Sequence, residues 1–117
     1  MTPEEIGLPL QAVESIRQVF GRFPGVEQAV LYGSRAKGNY RPGSDIDLTL
    51  KGNLRYRELL DIELALDDLL LPRKIDLSLY SQIDNPALVE HIGRVGKFLY
   101  AKLKLLPAAL ARRKILN

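Results

Sequence analysis

The sequence predicts an α/β (α+β) domain in which a small mixed β-sheet is flanked by helices, in the order α-β-β-α-β-α. Two patterns support this fold class. Three short apolar runs have the length and alternation of strands, and three longer runs repeat apolar residues every three to four positions, as helices do. The 117 residues suffice for one hydrophobic core. We therefore expect one domain over residues 1–100, followed by a basic C-terminal tail over 101–117.

A helix, a strand and a glycine turn make up the first third of the chain. Apolar residues at helical spacing predict a first helix that Pro24-Gly25 ends: Ala12, Ile16, Val19, Phe20 and Phe23. The apolar run Val26–Tyr32 predicts the first strand. A turn over Gly33–Gly38 follows, in which Ser34 is placed to cap a short helical segment.

Strands and helices continue to alternate in the rest of the chain. A second strand is predicted over Ser44–Leu50, and a leucine-rich stripe predicts a helix over about Leu54–Leu70. The next apolar run, Lys74–Tyr80, predicts a third strand. Asn85-Pro86 is a typical helix start, and helical spacing extends the last predicted helix toward Tyr100.

Three aspartates on two predicted strands are the candidate catalytic and metal-binding residues. Because side chains alternate along a strand, Asp45 and Asp47 point to one face and Ile46 to the other. Asp76 is the only carboxylate in the third strand. If the two strands are neighbours, three carboxylates converge, and two like charges about 4 Å apart repel by about 4 kcal/mol at an effective dielectric near 20. A cation must balance them, and Mg²⁺, which prefers carboxylate, water and phosphate oxygens, is the natural candidate.

The sequence offers few ligands for metals that bind through sulfur or nitrogen. The chain contains no Cys and a single His, which argues against a zinc-type site. That histidine, His91, falls on a predicted helix, where we expect a surface or boundary residue rather than a catalyst.

The turn after the first strand has the composition of a phosphate-binding site. Free backbone N–H groups at Gly33, the Ser34 hydroxyl and the cations Arg35 and Lys37 together form an anion cradle. A phosphate cradle beside a carboxylate cluster predicts a nucleoside triphosphate site.

The charge distribution argues against a nucleic-acid-binding surface. The net charge is +3, but residues 101–117 carry five of the 17 basic residues and no acidic residue, which leaves 12 basic against 14 acidic residues, a net of −2, in the first hundred. No apolar run approaches the ~20 residues of a membrane span, and the first residues lack the features of a signal peptide. A cytoplasmic protein is therefore expected.

The order Gly33-Ser34, ten residues, Asp45-x-Asp47 and a later strand aspartate resembles the DNA polymerase beta-like nucleotidyltransferases. Within that superfamily, the small size and the turn sequence are most similar to the minimal nucleotidyltransferases (MNT proteins), over roughly Val13–Tyr100. The resemblance implies a nucleotidyltransferase fold and a metal-dependent transfer of a nucleoside monophosphate, usually AMP from ATP, to an acceptor hydroxyl. It also implies a HEPN-domain partner protein, with this chain acting as the antitoxin of a HEPN/MNT toxin-antitoxin pair.

The resemblance and the residues imply the same division of roles. Asp45 and Asp47 would bridge two Mg²⁺ ions, and Asp76 would bind the second ion and orient or deprotonate the acceptor hydroxyl. The Gly33 backbone, Ser34 and Arg35 would hold the β- and γ-phosphates of ATP, with Lys37 as a helper. These residues are the predicted site.

Two other interpretations stay open. The chain could be a non-catalytic nucleotide- or partner-binding subunit that neutralises a toxin by complex formation. As a separate matter, either a homo-oligomer or a hetero-oligomer is compatible with the sequence. The Asp-x-Asp pair could also be the metal site of a sugar-nucleotide glycosyltransferase, although that class has a larger nucleotide-binding domain and leaves Gly33-Ser34 unexplained.

Overall fold

The computed structural model describes residues 2–102, which form a four-stranded mixed sheet. The strands are β1 (Val26–Tyr32), β2 (Ile46–Gly52), β3 (Ile75–Leu79) and β4 (Lys97–Ala101), and they lie in the order β3-β2-β1-β4. β1 pairs antiparallel with both β2 and β4, whereas β2 and β3 run parallel. The predicted fold class, a small mixed sheet flanked by helices, is confirmed.

The described residues also include five helices and a single 3₁₀ turn, Tyr80–Gln82. The helices are α1 (Pro3–Ile6), α2 (Leu10–Gly21), α3 (Gly33–Lys37), α4 (Tyr56–Asp67) and α5 (Pro86–Val95). The parallel pair β2 and β3 is joined by α4, as a parallel connection requires a crossover. None of the helices in this part of the chain has the length and apolar character needed to cross a membrane.

The main core lies between one face of the sheet and the helices α2 and α4. Strand alternation turns three residues of β2 into this core, and the apolar stripes of the two helices pack against them. The core members from these elements are Ile46, Leu48 and Leu50 of β2, Val13, Ile16, Val19 and Phe20 of α2, and Leu59, Ile62 and Leu66 of α4. The opposite face of β2 therefore carries the alternate residues, among them Asp47.

The predicted last helix is confirmed over Pro86–Val95 and wrong over its last third, residues 96–100. Helix α5 ends at Val95, the chain becomes extended at Gly96 (φ −58°, ψ 141°), and β4 follows. Helical spacing and strand alternation both predict that Leu99 is buried, so the sequence pattern could not distinguish a helix from a strand in this segment. The segment forms a strand because β1 has a free edge with which β4 can pair. This pairing buries Leu99 and leaves Phe98 58% exposed.

Other differences from the prediction are shifts of element ends and one added helix. The second strand begins at Ile46 instead of Ser44, so Asp45 immediately precedes β2. The N-terminal helix α1 has no apolar repeat and was not predicted. It forms because Thr2 and Glu5 make a reciprocal capping box around its first turn.

Most of the predicted tail lies outside the described residues, which end at Lys102. The first tail residues belong to the sheet, since β4 includes Ala101 and the Lys102 N–H donates to the Glu27 carbonyl at 2.9 Å. The element order of the described chain therefore ends on a strand.

Candidate active site

Three side chains form a row across the sheet at one end of β2. Asp47 is the register partner of Tyr32 on β1 and of Asp76 on β3. Register partners on adjacent strands point to the same face. The structure therefore brings Asp47 and Asp76 together, as neighbouring strands were expected to do.

Asp45 lies at the edge of this row. It is exposed and immediately precedes β2, two residues from Asp47. Asp76 is also exposed, whereas Asp47 is partly buried. Asp47 is therefore the least exposed of the three aspartates, which we call the carboxylate row.

Electrostatics at Asp47 disfavour its anionic form. Burial raises the pKa of the Asp47 carboxyl group, and the negative charges of Asp76 and Asp45 raise it further. A carboxylate that is both desolvated and repelled by like charges is stabilised by a nearby cation. The row is therefore a place where a positive charge would bind favourably.

The donor set is suited to a hard cation. Among residues 2–102, no group of three or more His, Cys, Asp or Glu side chains lies close enough together, as placed, to hold a metal ion. Mg²⁺, however, commonly takes only one or two protein carboxylates and completes its octahedron with water and substrate oxygens. Asp47 and Asp76, with Asp45 beside them, supply oxygen donors of that kind.

The glycine turn is packed directly against Asp47. Gly33 has φ +75°, a left-handed conformation that side chains rarely adopt, and a Cβ atom built on it would overlap Asp47 Oδ2. Only glycine lets the backbone come so close to this carboxylate. The turn and the carboxylate row are therefore parts of one site.

Two details of the turn differ from the prediction. Ser34 does not cap α3, because the N-cap residue is Tyr32 and Ser34 is the second residue of the helix. The Gly33 N–H is not free, since it donates to His91 Nε2 at 3.0 Å. Ser34 is partly buried beside this bond and Lys37 is exposed at the last position of α3.

The structure contradicts the prediction that the Arg35 side chain binds phosphate. Arg35 is 1% exposed, and its guanidinium donates to four backbone carbonyls, those of Ile6, Gly7, Pro42 and Ser44. The donors of a guanidinium satisfied in this way are not available to a ligand. Arg35 instead connects the turn to α1 and to the segment that leads into Asp45.

Tyr32 contributes a hydroxyl group to the row. Burial raises the pKa of the Tyr32 hydroxyl, the nearby polar side chain of Ser78 lowers it, and the charges of Asp47 and Asp76 raise it again. Its ring meets the His91 ring edge-on, with centroids 6.2 Å apart and an interplanar angle of 82°. Tyr32 thus packs between the carboxylates and α5, and it stays neutral at ordinary pH.

A family model described as polymerase beta, nucleotidyltransferase matches residues 14–104. The chain belongs to this nucleotidyltransferase family. The matched segment contains the glycine turn, all three aspartates and His91. The predicted membership in the polymerase beta-like superfamily is therefore confirmed.

Solved structures with a similar fold include several toxin-antitoxin complexes. One is a toxin-antitoxin with AMP-PNP, which has 20% identity, a TM-score of 0.62, and coverage of 77% of this nucleotidyltransferase and 73% of that chain. A second is tri-AMPylated Shewanella oneidensis HEPN toxin in complex with MNT antitoxin, at 18% identity, a TM-score of 0.58, and coverage of 80% and 73%. A third is a putative nucleotidyltransferase from Sulfolobus solfataricus, at 18% identity, a TM-score of 0.56, and coverage of 85% and 86%. At these identities the likeness shows a shared fold. No curated protein matched the chain.

Sequence reasoning did not assign His91 to the site of this nucleotidyltransferase. A lone histidine on an amphipathic helix carries no spacing signal, and its partner Gly33 is 58 residues away. Only the packing of α5 beside the end of β1 brings the imidazole to the turn.

Proposed function

We propose that this nucleotidyltransferase transfers AMP from ATP to a hydroxyl group, with Mg²⁺ as cofactor. The observation that carries the proposal is the register of Asp47 with Asp76, with the Gly33 turn packed against Asp47. Carboxylates suited to Mg²⁺ thereby lie beside a turn that carries the Ser34 hydroxyl and the exposed Lys37 ammonium, two groups that can bind phosphate. Nucleotidyl transfer needs the carboxylates and the phosphate-binding groups side by side, because catalysis of reactions at phosphorus depends mainly on positioning the substrate and stabilising its charge.

The chain's own residues divide the work as follows. The Ser34 hydroxyl donates its single hydrogen bond to an oxygen of the β- or γ-phosphate, and the Lys37 ammonium, exposed at the end of α3, approaches the negative charge of the same triphosphate. Asp76 accepts the proton of the acceptor hydroxyl, whose oxygen forms a bond to the α-phosphorus as the bond to pyrophosphate breaks. Asp45, Asp47 and Asp76 would hold two Mg²⁺ ions, which neutralise the triphosphate and lower the pKa of the acceptor hydroxyl.

A partner protein supplies the acceptor in this proposal. The structures of similar fold include an AMPylated HEPN toxin with its MNT antitoxin, and we infer that this chain likewise acts on a HEPN-domain protein as a HEPN/MNT antitoxin. The described residues form a single small sheet domain, in which the exposed Asp76 can meet a hydroxyl delivered by another molecule. The cytoplasm is the expected setting, because it provides ATP and Mg²⁺.

The test is label transfer from ATP that is labelled at its α-phosphate. The protein is incubated with the labelled nucleotide, Mg²⁺ and a candidate HEPN-domain partner protein, and the acceptor is then identified by mass spectrometry. We expect a mass gain of one AMP on the partner. Asp47→Asn should reduce transfer by about two orders of magnitude or more.

A matched carboxylate controls for general charge effects. Asp61 is exposed on α4, away from the carboxylate row, so Asp61→Asn should leave the transfer unchanged. Transfer that persists in both Asp45→Asn and Asp47→Asn would remove the assignment of these residues.

A second candidate function is neutralisation of a partner by contact alone. Helix α4 presents an apolar ridge to solvent, made of Tyr56, Leu60 and Leu64 at intervals of four residues, with exposed fractions of 61%, 42% and 64%. Apolar side chains aligned on one side of a helix are typical of a protein-binding surface. Under this alternative, toxin neutralisation survives Asp47→Asn and is lost in Leu60→Glu. Under the enzymatic proposal, Asp47→Asn abolishes it.

A further inference from the structure

One hydrogen bond connects helix α5 to the first residue of the glycine turn. The Gly33 N–H donates to His91 Nε2 at 3.0 Å, and both residues are partly buried. Since Nε2 accepts this bond, the imidazole is neutral and carries its proton on Nδ1. The bond therefore depends on one tautomer of one side chain.

The helix that carries His91 is well anchored. Asn85 caps its first turn by accepting from the Ala87 and Leu88 N–H groups at 3.0 and 3.2 Å. The next residue, Ile92, is buried, and a Cβ atom on Gly96 would overlap Val30 Cγ1, so the end of α5 packs closely on β1. His91 thus reaches the turn from a rigid support.

The orientation of the peptide between Tyr32 and Gly33 affects both the glycine turn and Asp47. Gly33 sits in a left-handed conformation against Asp47 Oδ2, so a rotation of the Tyr32–Gly33 peptide would move both the turn and the approach to the carboxylate. The His91 ring also packs edge-on against Tyr32, the residue on the other side of that peptide. Two contacts of one imidazole therefore constrain the same peptide plane.

We infer that His91 is a positioning residue that holds the Gly33 turn in the orientation that presents Ser34 to the triphosphate. The inference deepens the proposed function and rests on it for the nucleotide, but the hydrogen bond itself can be tested without any nucleotide. His91 touches no reacting atom in this scheme. It acts through Gly33, whose N–H group donates to its imidazole. The phosphates are therefore bound by the Ser34 hydroxyl and the Lys37 ammonium and not by the Gly33 N–H.

Two substitutions separate the hydrogen bond from the packing. His91→Phe keeps a ring against Tyr32 but removes the acceptor, whereas His91→Gln places an amide oxygen near the position of Nε2. Glu90→Ala is the control, because Glu90 is exposed on the same helix and pairs only with Arg94 among the described residues. Urea unfolding of each variant verifies that the fold is kept.

The first measurement uses the protein without ligand. Nitrogen-15 NMR should show His91 neutral with the proton on Nδ1, and a Gly33 amide protected from hydrogen exchange. Exchange at Gly33 should accelerate at least fivefold in His91→Phe, a factor equivalent to about 1 kcal/mol for one net hydrogen bond, and return toward wild type in His91→Gln. Equal exchange in the wild type and His91→Phe overturns the inference.

The second measurement is the Kd for ATP with Mg²⁺ by titration calorimetry. We expect about fivefold weaker binding in His91→Phe, recovery in His91→Gln and no change in Glu90→Ala. An unchanged Kd in His91→Phe overturns the positioning role. A wild-type protein that shows the protected Gly33 amide but binds no ATP overturns the proposed function instead, and leaves His91 a purely structural residue.

Discussion

The guanidinium of Arg35 donates two hydrogen bonds, of 3.2 and 2.9 Å, to the backbone carbonyl of Ser44. Ser44 directly precedes Asp45, so this contact ties α3, the helix within the glycine turn, to the segment that leads into β2. The same guanidinium also donates to the carbonyls of Ile6, Gly7 and Pro42. Arg35, which the sequence predicted to bind phosphate, therefore holds together the backbone segments around the site.

We expect Arg35→Met to lower the free energy of unfolding by roughly 3 kcal/mol or more, because several carbonyls would be left without their donors. Urea denaturation measures the loss. Lys37→Met, two residues on and exposed, is the matched control and should change stability by less than about 0.5 kcal/mol. Equal effects of the two substitutions would contradict the role assigned to Arg35.

Gly33→Ala and Gly38→Ala form a second matched pair. Both glycines have positive φ, +75° and +88°, so alanine at either position should cost about 1–2 kcal/mol of stability. Only at Gly33 does the added methyl group overlap Asp47 Oδ2, whereas no atom lies within 4 Å at Gly38. We therefore expect AMP transfer and Mg²⁺ binding to fall in Gly33→Ala alone. Equal activity in the two variants would show that the close approach of turn and carboxylate is unimportant.

The raised pKa of Asp47 predicts a pH dependence of stability. A carboxyl group whose pKa is higher in the folded than in the unfolded state binds more protons when folded, so its contribution to stability falls as pH rises. The loss begins near the ordinary value of 3.8 and is complete above the raised folded pKa. Asp47→Asn should therefore gain stability relative to wild type as pH increases through this window. A constant difference from pH 3 to pH 7 would contradict the shift.

Mg²⁺ should stabilise the folded protein even without nucleotide, because it relieves the repulsion among the three aspartates. Thermal unfolding with added Mg²⁺ and then with EDTA measures the effect, which follows the ratio of metal concentration to Kd and reaches about 2.7 kcal/mol at a hundredfold excess over Kd. Asp47→Asn should lose most of this stabilisation. A Mg²⁺ response equal in the variant and the wild type would place the cation elsewhere.

Strand β4 can be tested with two adjacent residues. Leu99 is 1% exposed and Phe98 is 58% exposed, so Leu99→Ala should cost about 2–5 kcal/mol while Phe98→Ala costs far less. Chemical denaturation of both variants provides the comparison. A larger loss for Phe98→Ala would contradict the pairing of β4 with β1.

Local sequence patterns were sufficient where a structure depends on neighbouring residues alone. The first strand was predicted with the bounds that the structure shows, Val26–Tyr32, because an apolar run between a Pro-Gly stop and a glycine turn has few alternatives. Asp47 and Asp76 were placed on one face of their strands by alternation. Alternation could not say that the strands are neighbours, which the parallel register of β2 and β3 decided.

The wrong predictions share one physical cause. Contacts between segments that are distant in sequence determine which partner a side chain binds. A cation after a glycine turn looks the same in sequence whether it faces phosphate or, like Arg35, carbonyls up to 29 residues away. Likewise, no local pattern brings His91 to Gly33 or turns residues 97–101 into an edge strand. The sequence by itself determined the residue types, the strand faces and the family. The tertiary structure alone decided which polar groups are already satisfied by the protein and which face the site.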